Sequence, residues 1–239
     1  MTGGNQRHFL KNAVAETAIS GINNAKHASA TDLDSFSMFA VFFEVKPRTD
    51  GYQLYLETAK ELRPLLDTIT GFQSIERFNS TARAGWLLSL SFWRDEAALT
   101  EWRILERHHQ AQQAGRDKMF EDYRIRVGQV FHDKEFGLPA RTATRRTAYN
   151  DPALCSPAFI TVLESSAKTI LTDPGAERFE SLYTDGKSVL LGGWTNEVAA
   201  PVYRDRVAAL GDRLRIIEVE RDYGMFDRHQ APQYYPGKA

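Results

Sequence analysis

Three side chains suited to catalysis recur at a spacing of seven residues in the first half of the chain. They are Trp102, His109 and Arg116. Seven residues are nearly two turns of an α-helix, so the three fall on one stripe if a single helix spans them. An imidazole is suited to general-base catalysis, a guanidinium to binding an anionic oxygen, and an indole to stacking on a planar ring. The spacing therefore predicts one wall of a pocket.

Neighbouring residues complete the candidate site. We expect His109 to act as the base, with Arg116 or Tyr123 stabilising an oxyanion. His108 lies about 100° from His109 around a helix and is expected to face solvent or an interface. A competing interpretation makes these side chains core residues without a catalytic role. The expected substrate-binding residues are Trp102, His108, Gln112 and Phe120.

Alternating strands and helices must position these residues. Apolar and β-branched runs typical of strands occupy residues 38–45, 72–80, 86–93 and 123–131. Apolar residues at helical spacing follow Asp50 and Asp95, which are both candidate N-caps. The second helix is expected to run to about residue 113 and to end near Gly115. The resulting order, β-α-β-β-α-β, is the ferredoxin-like arrangement.

The second half of the chain repeats the first. A shift of 101 aligns nine identical residues between positions 76 and 98 without a gap, where chance gives roughly one or two. The shift is 120 at the first strand and falls to 101 at the second, so the second copy is 19 residues shorter between these strands, where the first copy has its first helix. It falls again to 89 at the fourth strand, so the second copy is 12 residues shorter between its third and fourth strands, where the first copy has its second helix. We therefore expect it to keep its sheet and to have reduced helices. Glu76, Arg77 and Ser80 recur, which favours structural roles for them.

The predicted fold class is α+β, with two tandem ferredoxin-like units that form a barrel of the dimeric type. Because helices cover one face of each sheet, the other apolar face needs a cover. An intrachain pseudo-dimer supplies that cover, and a homodimer through the first unit is the alternative. A pocket is expected between the sheet and the helices of that unit. The predicted segments are a polar extension (1–35), a complete unit (36–135), a linker (136–156), and a degenerate unit with a packing arm (157–239).

Composition excludes several classes of function. The chain has 239 residues and a net charge of −1, so neither a nucleic acid nor a membrane is an expected partner. Asn12, Glu16 and Ser20 interrupt the apolar residues near the N-terminus, and we expect a cytoplasmic location without a signal peptide. A single cysteine, Cys155, cannot form an intrachain disulfide or a thiolate zinc site. Zinc, P-loop and dinucleotide motifs are absent from the sequence, so no cofactor is predicted.

Several motifs occur together between Met38 and Asp133. They are FFEVKP at 42–47, G-F-x-x-x-E-R-F-x-S at 71–80, LSLSFWRDE at 88–96, W-R at 102–103, HHQAQ at 108–112 and G-R-x-x-x-F-x-D-Y at 115–123. Through these motifs the stretch resembles the antibiotic biosynthesis monooxygenase (ABM) superfamily, whose members form dimeric α+β barrels. This superfamily includes cofactor-independent oxygenases of polyketide quinols, haem-degrading enzymes and isomerases, so the resemblance implies the fold more specifically than the activity.

Three functions remain open at this point. The first is cofactor-independent oxygenation of a small aromatic phenol or quinol in the pocket of the first unit. The second is binding or degradation of haem through His108 or His109. Haem-degrading relatives place their ligand about ten residues after the tryptophan, where this chain has Gln112, and they carry an asparagine that residues 38–45 lack. The third is a non-catalytic module for ligand binding or assembly.

Overall fold

The computed structural model describes residues 38–135, 157–166, 173, 175–196 and 211–232. The expected N-terminal extension, the linker and the reduced helices of the second half lie outside the described residues. In the described ranges, no helix is both long enough and apolar enough to cross a lipid bilayer.

The described residues form eight strands, three α-helices and one π-helical turn. The strands are β1 (Phe39–Pro47), β2 (Phe72–Ser80), β3 (Leu87–Trp93), β4 (Phe120–Asp133), β5 (Phe159–Ser165), β6 (Ala176–Ser181), β7 (Ser188–Trp194) and β8 (Arg213–Gly224). The helices are α1 (Gly51–Leu66), α2 (Glu96–Ile104) and α3 (Glu106–Ala114), and the π-helical turn is Gly115–Met119. The first half thus has the predicted β-α-β-β-α-β order, with its second helix divided in two.

All eight strands belong to one closed antiparallel barrel. Their order is β1-β3-β2-β6-β7-β5-β8-β4, and β4 pairs with β1 to close the ring. The pairs β2–β6 and β4–β8 join the two halves of the chain. A closed barrel leaves no strand edge with unpaired backbone groups, so each half supplies the partners that the other half needs.

The sheet of the first half is buried on both faces. Phe43 and Ser91 line a cavity on the helical side. Their neighbours Phe42 and Leu90 point the opposite way, into the barrel, because successive side chains of a strand alternate between faces. Both are almost fully buried. The strands therefore separate a packed barrel interior from a cavity beneath the helices.

The first helix packs on the sheet through the stripe predicted from its spacing. Tyr55, Ala59 and Leu66 are all buried on this face. Asp50 occupies the N-cap position, but its side chain makes no capping hydrogen bond, so that part of the prediction is wrong. Asp95 does cap α2, because its carboxylate accepts a hydrogen bond of 2.8 Å from the backbone N–H of Ala98.

Reciprocal ion pairs join β4 to β8. Arg124 Nε donates to Asp222 at 2.6 Å, and Arg213 Nη2 donates to Asp133 at 2.6 Å. Each residue of one pair corresponds to a residue of the other under the shift of 89. Both carboxylates are almost completely buried. The arginines therefore compensate charges that would otherwise be costly to bury.

Reciprocal hydrogen bonds also join β2 to β6. Ser80 Oγ donates to Glu177 at 2.5 Å, and Ser181 Oγ donates to Glu76 at 2.6 Å. These residues correspond under the shift of 101. The contacts give Glu76 and Ser80 the structural role that their recurrence predicts.

Asp133 provides a test of the β4–β8 contacts. Burial alone would raise its pKa, but the hydrogen bond from Arg213 and the charges of Arg215 and Arg213 hold the pKa below its usual value. Asp133→Asn leaves these arginines without a full countercharge, and we expect it to lower the free energy of unfolding by about 3 kcal/mol. Urea denaturation measures this change. Asp67→Asn, which removes an exposed partner of Arg63, is the control and should cost less than about 1 kcal/mol. An equal loss of unfolding free energy in the two variants would contradict the stabilising role assigned to the buried Asp133 ion pairs.

Candidate active site

A cavity of about 220 Å³ lies between the helices and the sheet of the first half. This volume is below the roughly 300–1,000 Å³ of typical drug-sized sites, which favours a small ligand. Most of the wall is apolar, and a few polar groups converge on it. The apolar wall includes Val41, Phe43, Leu62, Ile75, Trp93, Leu99, Ile125 and Val127.

Six of the seven predicted site residues line this cavity, and His109 does not. The six residues are Trp102, His108, Gln112, Arg116, Phe120 and Tyr123. The expected orientations of the two neighbouring histidines are therefore exchanged. His108 takes the position beside the cavity that the helical stripe assigned to His109.

A break in the helix accounts for this exchange. Leu105 has φ −56° and ψ 124°, which is not a helical conformation, so α2 ends before it and α3 begins after it. The predicted stripe through Trp102, His109 and Arg116 is wrong, because it requires one continuous helix. The break changes the rotation of α3 relative to α2 and brings His108 against the indole.

The predicted helix end near Gly115 is confirmed, because α3 ends at Ala114 and Gly115 is its C-cap residue. The chain continues through the π-helical turn to Met119, and Arg116 remains on the cavity wall. A Cβ atom at Gly115 would lie 2.4 Å from the ring of Phe120. The glycine is therefore needed for close approach between the turn and the aromatic wall.

His108 is held by a hydrogen bond and by stacking. Its Nδ1 atom lies 2.9 Å from the carbonyl oxygen of Trp102, and its ring stacks on the indole with centroids 4.1 Å apart. A carbonyl oxygen only accepts, so Nδ1 carries the proton and donates it. The lone pair is then on Nε2, which can accept a proton or a hydrogen bond from a ligand.

The environment of His108 favours the neutral imidazole. Burial lowers its pKa to about 4, and the charge of His109 acts in the same direction, while the hydrogen bond to Trp102 opposes the shift. The side-chain amide of Gln112 lies 3.3 Å from Nδ1. At neutral pH, His108 is therefore an uncharged residue of the cavity wall, with its acceptor lone pair on Nε2.

Four aromatic rings form another part of the wall. Phe43, Tyr55, Phe120 and Tyr123 pack edge to face or tilted, and Phe43 lies 5.6 Å from Phe120 and 5.9 Å from Tyr123. The hydroxyl of Tyr123 accepts a hydrogen bond of 2.8 Å from Arg228 Nη1. This contact orients the hydroxyl and leaves its own proton available for a ligand.

The second half contributes residues that the sequence patterns did not predict. Arg221 and Tyr223 on β8, and Arg228 and Pro232 beyond it, line the cavity. The segment that begins at Tyr223 therefore does more than pack, which was its expected role. Residues two apart on a strand share a face, so the Arg-x-Tyr pattern is a signal that could have identified the first two.

Arginine also enters the cavity from the first half. Arg77 and Arg103 line it, and Arg77 Nε donates to the hydroxyl of Tyr55 at 3.3 Å. The structural role expected for Arg77 from its recurrence is therefore incomplete.

Haem fits this cavity poorly. The Nε2 atom of His108 has the chemistry of an axial ligand, but the macrocycle is larger than a cavity of about 220 Å³. Within the described residues, no cluster of three or more His, Cys, Asp or Glu side chains is arranged to hold a metal ion. The geometry favours a smaller organic ligand.

The structure is that of a ferredoxin-like α+β barrel protein with a cavity beneath the helices of its first half. The family model described as antibiotic biosynthesis monooxygenase matches residues 38–114. A relative from Pyricularia oryzae, named jasmonate monooxygenase ABM, is 36% identical over 218 residues, which cover 83% of this chain and 99% of the relative. The chain therefore belongs to the antibiotic biosynthesis monooxygenase family, and the predicted α+β class and family are confirmed.

Two further similarities are more distant. The uncharacterized protein YqjZ of Bacillus subtilis is 30% identical over 97 residues, covering 40% of this chain and 81% of that protein. A crystal structure of an aldoxime dehydratase aligns with a TM-score of 0.48 at 12% identity, covering 85% of this chain and 88% of the other. The structural similarity is too low to inform the activity of this chain.

The low pKa of His108 predicts a specific dependence of stability on pH. An unfolded histidine has a pKa near 6.5, so between pH 6.5 and about 4 the unfolded chain takes up the proton and the folded chain does not. This contribution to stability is present above pH 6.5 and is lost as the pH falls, by an amount on the order of 3 kcal/mol. His108→Gln should weaken the decline, as measured by urea denaturation across this range.

His229→Gln is the matched control for this measurement. His229 is exposed and hydrogen-bonds Asp227, so its removal should preserve the decline seen in the unmodified protein. An identical decline in His108→Gln would contradict the buried, neutral state assigned to His108.

Proposed function

We propose that this protein is a monooxygenase that oxygenates a small phenol- or quinol-like aromatic molecule in the cavity without a metal or organic cofactor. The main support is the neutral Nε2 of His108, an acceptor beside an apolar cavity that belongs to a chain of the monooxygenase family. A largely apolar site limits the contact of reactive oxygen species with bulk water. The stacked Trp102 and His108 offer a flat surface for an aromatic ring.

His108 replaces His109 as the proposed proton acceptor. A phenol has a pKa near 10 and the imidazole about 4, so transfer between them is unfavourable by about 8 kcal/mol in the absence of other charges. The guanidinium groups of the cavity stabilise a phenolate and reduce this cost. An adjacent phenolate also raises the pKa of His108. The proposed base therefore depends on the arginines around it.

The proposed reaction needs only the substrate and O₂. The phenolate gives one electron to O₂, and the two radicals combine to form a C–O bond and a peroxide on the ring. Loss of the ring proton and cleavage of the O–O bond then leave a second carbonyl and release water, so phenol and O₂ become quinone and water. Arg116 and the hydroxyl of Tyr123 are the proposed stabilisers of the anionic oxygens.

A jasmonate-like molecule is the second candidate substrate. The specific support is the relative from Pyricularia oryzae, which carries that substrate in its name and is covered almost completely by this chain. The arginines of the cavity are compatible with such an acidic molecule.

We further propose that the two halves are diverged copies that act as an intrachain pseudo-dimer. The support is the reciprocal pairing of Arg124 with Asp222 and of Arg213 with Asp133, as well as the reciprocal serine–glutamate contacts. Because the barrel closes within one chain, sedimentation of the full chain should give a monomer. A stable dimer that dissociates only on unfolding would contradict this expectation.

Oxygen uptake tests the proposed oxygenase. Purified protein, with metals removed by a chelator, is given a hydroxynaphthalene or jasmonate in an oxygen electrode, and products are analysed by mass spectrometry with isotopically labelled O₂. We expect enzyme-dependent uptake and one labelled oxygen atom in the organic product. His108→Gln should lower kcat about a hundredfold or more, because it removes the base.

Two comparisons make this test decisive. His229→Gln, which alters an exposed histidine, should retain the activity of the unmodified protein. Activity lost with the chelator and restored by a metal ion would contradict cofactor independence. Equal activity of His108→Gln and the unmodified protein would refute the assigned base.

A further inference from the structure

The cavity has an excess of positive charge that the proposed reaction does not explain. Among the described residues that line it, five are arginines and none is aspartate or glutamate. A phenolate needs one or two cationic neighbours, whereas this wall has guanidinium groups from several elements. The five are Arg77, Arg103, Arg116, Arg221 and Arg228.

Two of these arginines have donors without an acceptor. The Nε atoms of Arg103 and Arg221 are both buried, and neither has a hydrogen-bond partner in the described part of the chain. Arg221 is only 9% exposed, and its Nη1 atom donates to Glu96 at 2.5 Å, which fixes the guanidinium. Burying an N–H group without an acceptor is costly, so an anion that draws either guanidinium toward the cavity would recover that cost.

The two donors belong to one end of the cavity, because Arg103 lies on α2 and Arg221 donates to Glu96 of the same helix. Arg103, Arg221 and Arg228 all act electrostatically on the hydroxyl of Tyr223, which itself lines the cavity. Burial raises the pKa of Tyr223 to about 12, so its hydroxyl stays protonated at neutral pH and can donate a hydrogen bond. Arg103 directly follows Trp102 in α2, which keeps this end close to the stacked indole and imidazole.

We propose that the substrate carries a carboxylate, and that Arg103 and Arg221 bind it with help from the Tyr223 hydroxyl. Guanidinium groups form strong charge-assisted hydrogen bonds to carboxylates, and two donors with a neutral phenol match its two oxygens. The apolar part of the ligand then lies against the aromatic wall. The inference rests on the proposed function only in assuming that the substrate occupies this cavity.

Paired ligands that differ only in charge test the carboxylate site. Hydroxynaphthoate, its methyl ester and hydroxynaphthalene are titrated into the full chain by calorimetry. We expect the acid to bind about tenfold to a hundredfold more tightly than either neutral compound. Equal affinity for the acid and hydroxynaphthalene would mean that the arginines serve a phenolate only and would overturn the proposal.

Single substitutions test which side chains are responsible for the tighter binding of the acid. Arg103→Gln and Arg221→Gln should each lower the affinity for the acid at least tenfold and leave that for the ester unchanged. Arg221→Lys keeps the charge but removes the Nε donor, so its affinity should be intermediate. Arg107→Gln, in which an exposed arginine of α3 loses its contact with Glu61, is the matched control and should behave as the unmodified protein.

A second variant keeps the test valid if one variant fails to fold, and a parallel measurement of oxygen uptake separates binding from the reaction. If Arg221→Gln fails to fold, Tyr223→Phe, which removes one hydroxyl, should still reduce the preference for the acid. If all these variants match Arg107→Gln, the proposal is wrong. Oxygen uptake is measured on the same samples. Selective binding of the acid without uptake refutes the oxygenase but not the carboxylate site, and uptake without selectivity refutes the site alone.

Discussion

The pairing of β4 with β8 is the constraint on which both the fold and the cavity depend. The two strands approach so closely that a Cβ atom at Gly128 would lie 2.2 Å from the carbonyl oxygen of Glu218. Buried Asp133 and Asp222 are each compensated by arginines from the opposite strand. The same strands carry Tyr123 and Tyr223 to the cavity. Loss of this pairing would therefore open the barrel and dismantle the site together.

The strands and the first helix could be predicted because their signals are local. Residues 87–93 form an apolar-rich run that is buried throughout as β3, and the buried face of α1 follows a helical period. The break at Leu105 has no comparable signal, because leucine is a good helix former. The contacts that accompany the break are local. The last carbonyl groups of a helix lack partners within it, and the Trp102 carbonyl accepts both from the Leu105 N–H and from His108 Nδ1.

Residues that recur in both halves of the chain predict the contacts between β2 and β6, but they do not predict which side chains line the cavity. Glu76 and Ser80 recur because each forms one side of a reciprocal contact between β2 and β6. Arg77 recurs as well, yet in the first half it lies on the cavity wall and contacts Tyr55. Recurrence identifies residues that both sheets need, but the helices above each sheet determine what else those residues touch. The cavity residues on β8 could not be identified by comparing the two halves, because β8 belongs to the second half and lines a cavity of the first half.

The charges of the cavity and the state of His108 depend on each other. An imidazole with a pKa of about 4 remains neutral beside the arginines, so its presence adds no further repulsion to a cationic wall. Once an anion enters, the local potential becomes less positive and protonation of Nε2 becomes easier. The base therefore gains strength only when a suitable ligand is bound. Through this coupling, Arg221 and Tyr223 of the second half affect the pKa of His108, which belongs to the first half.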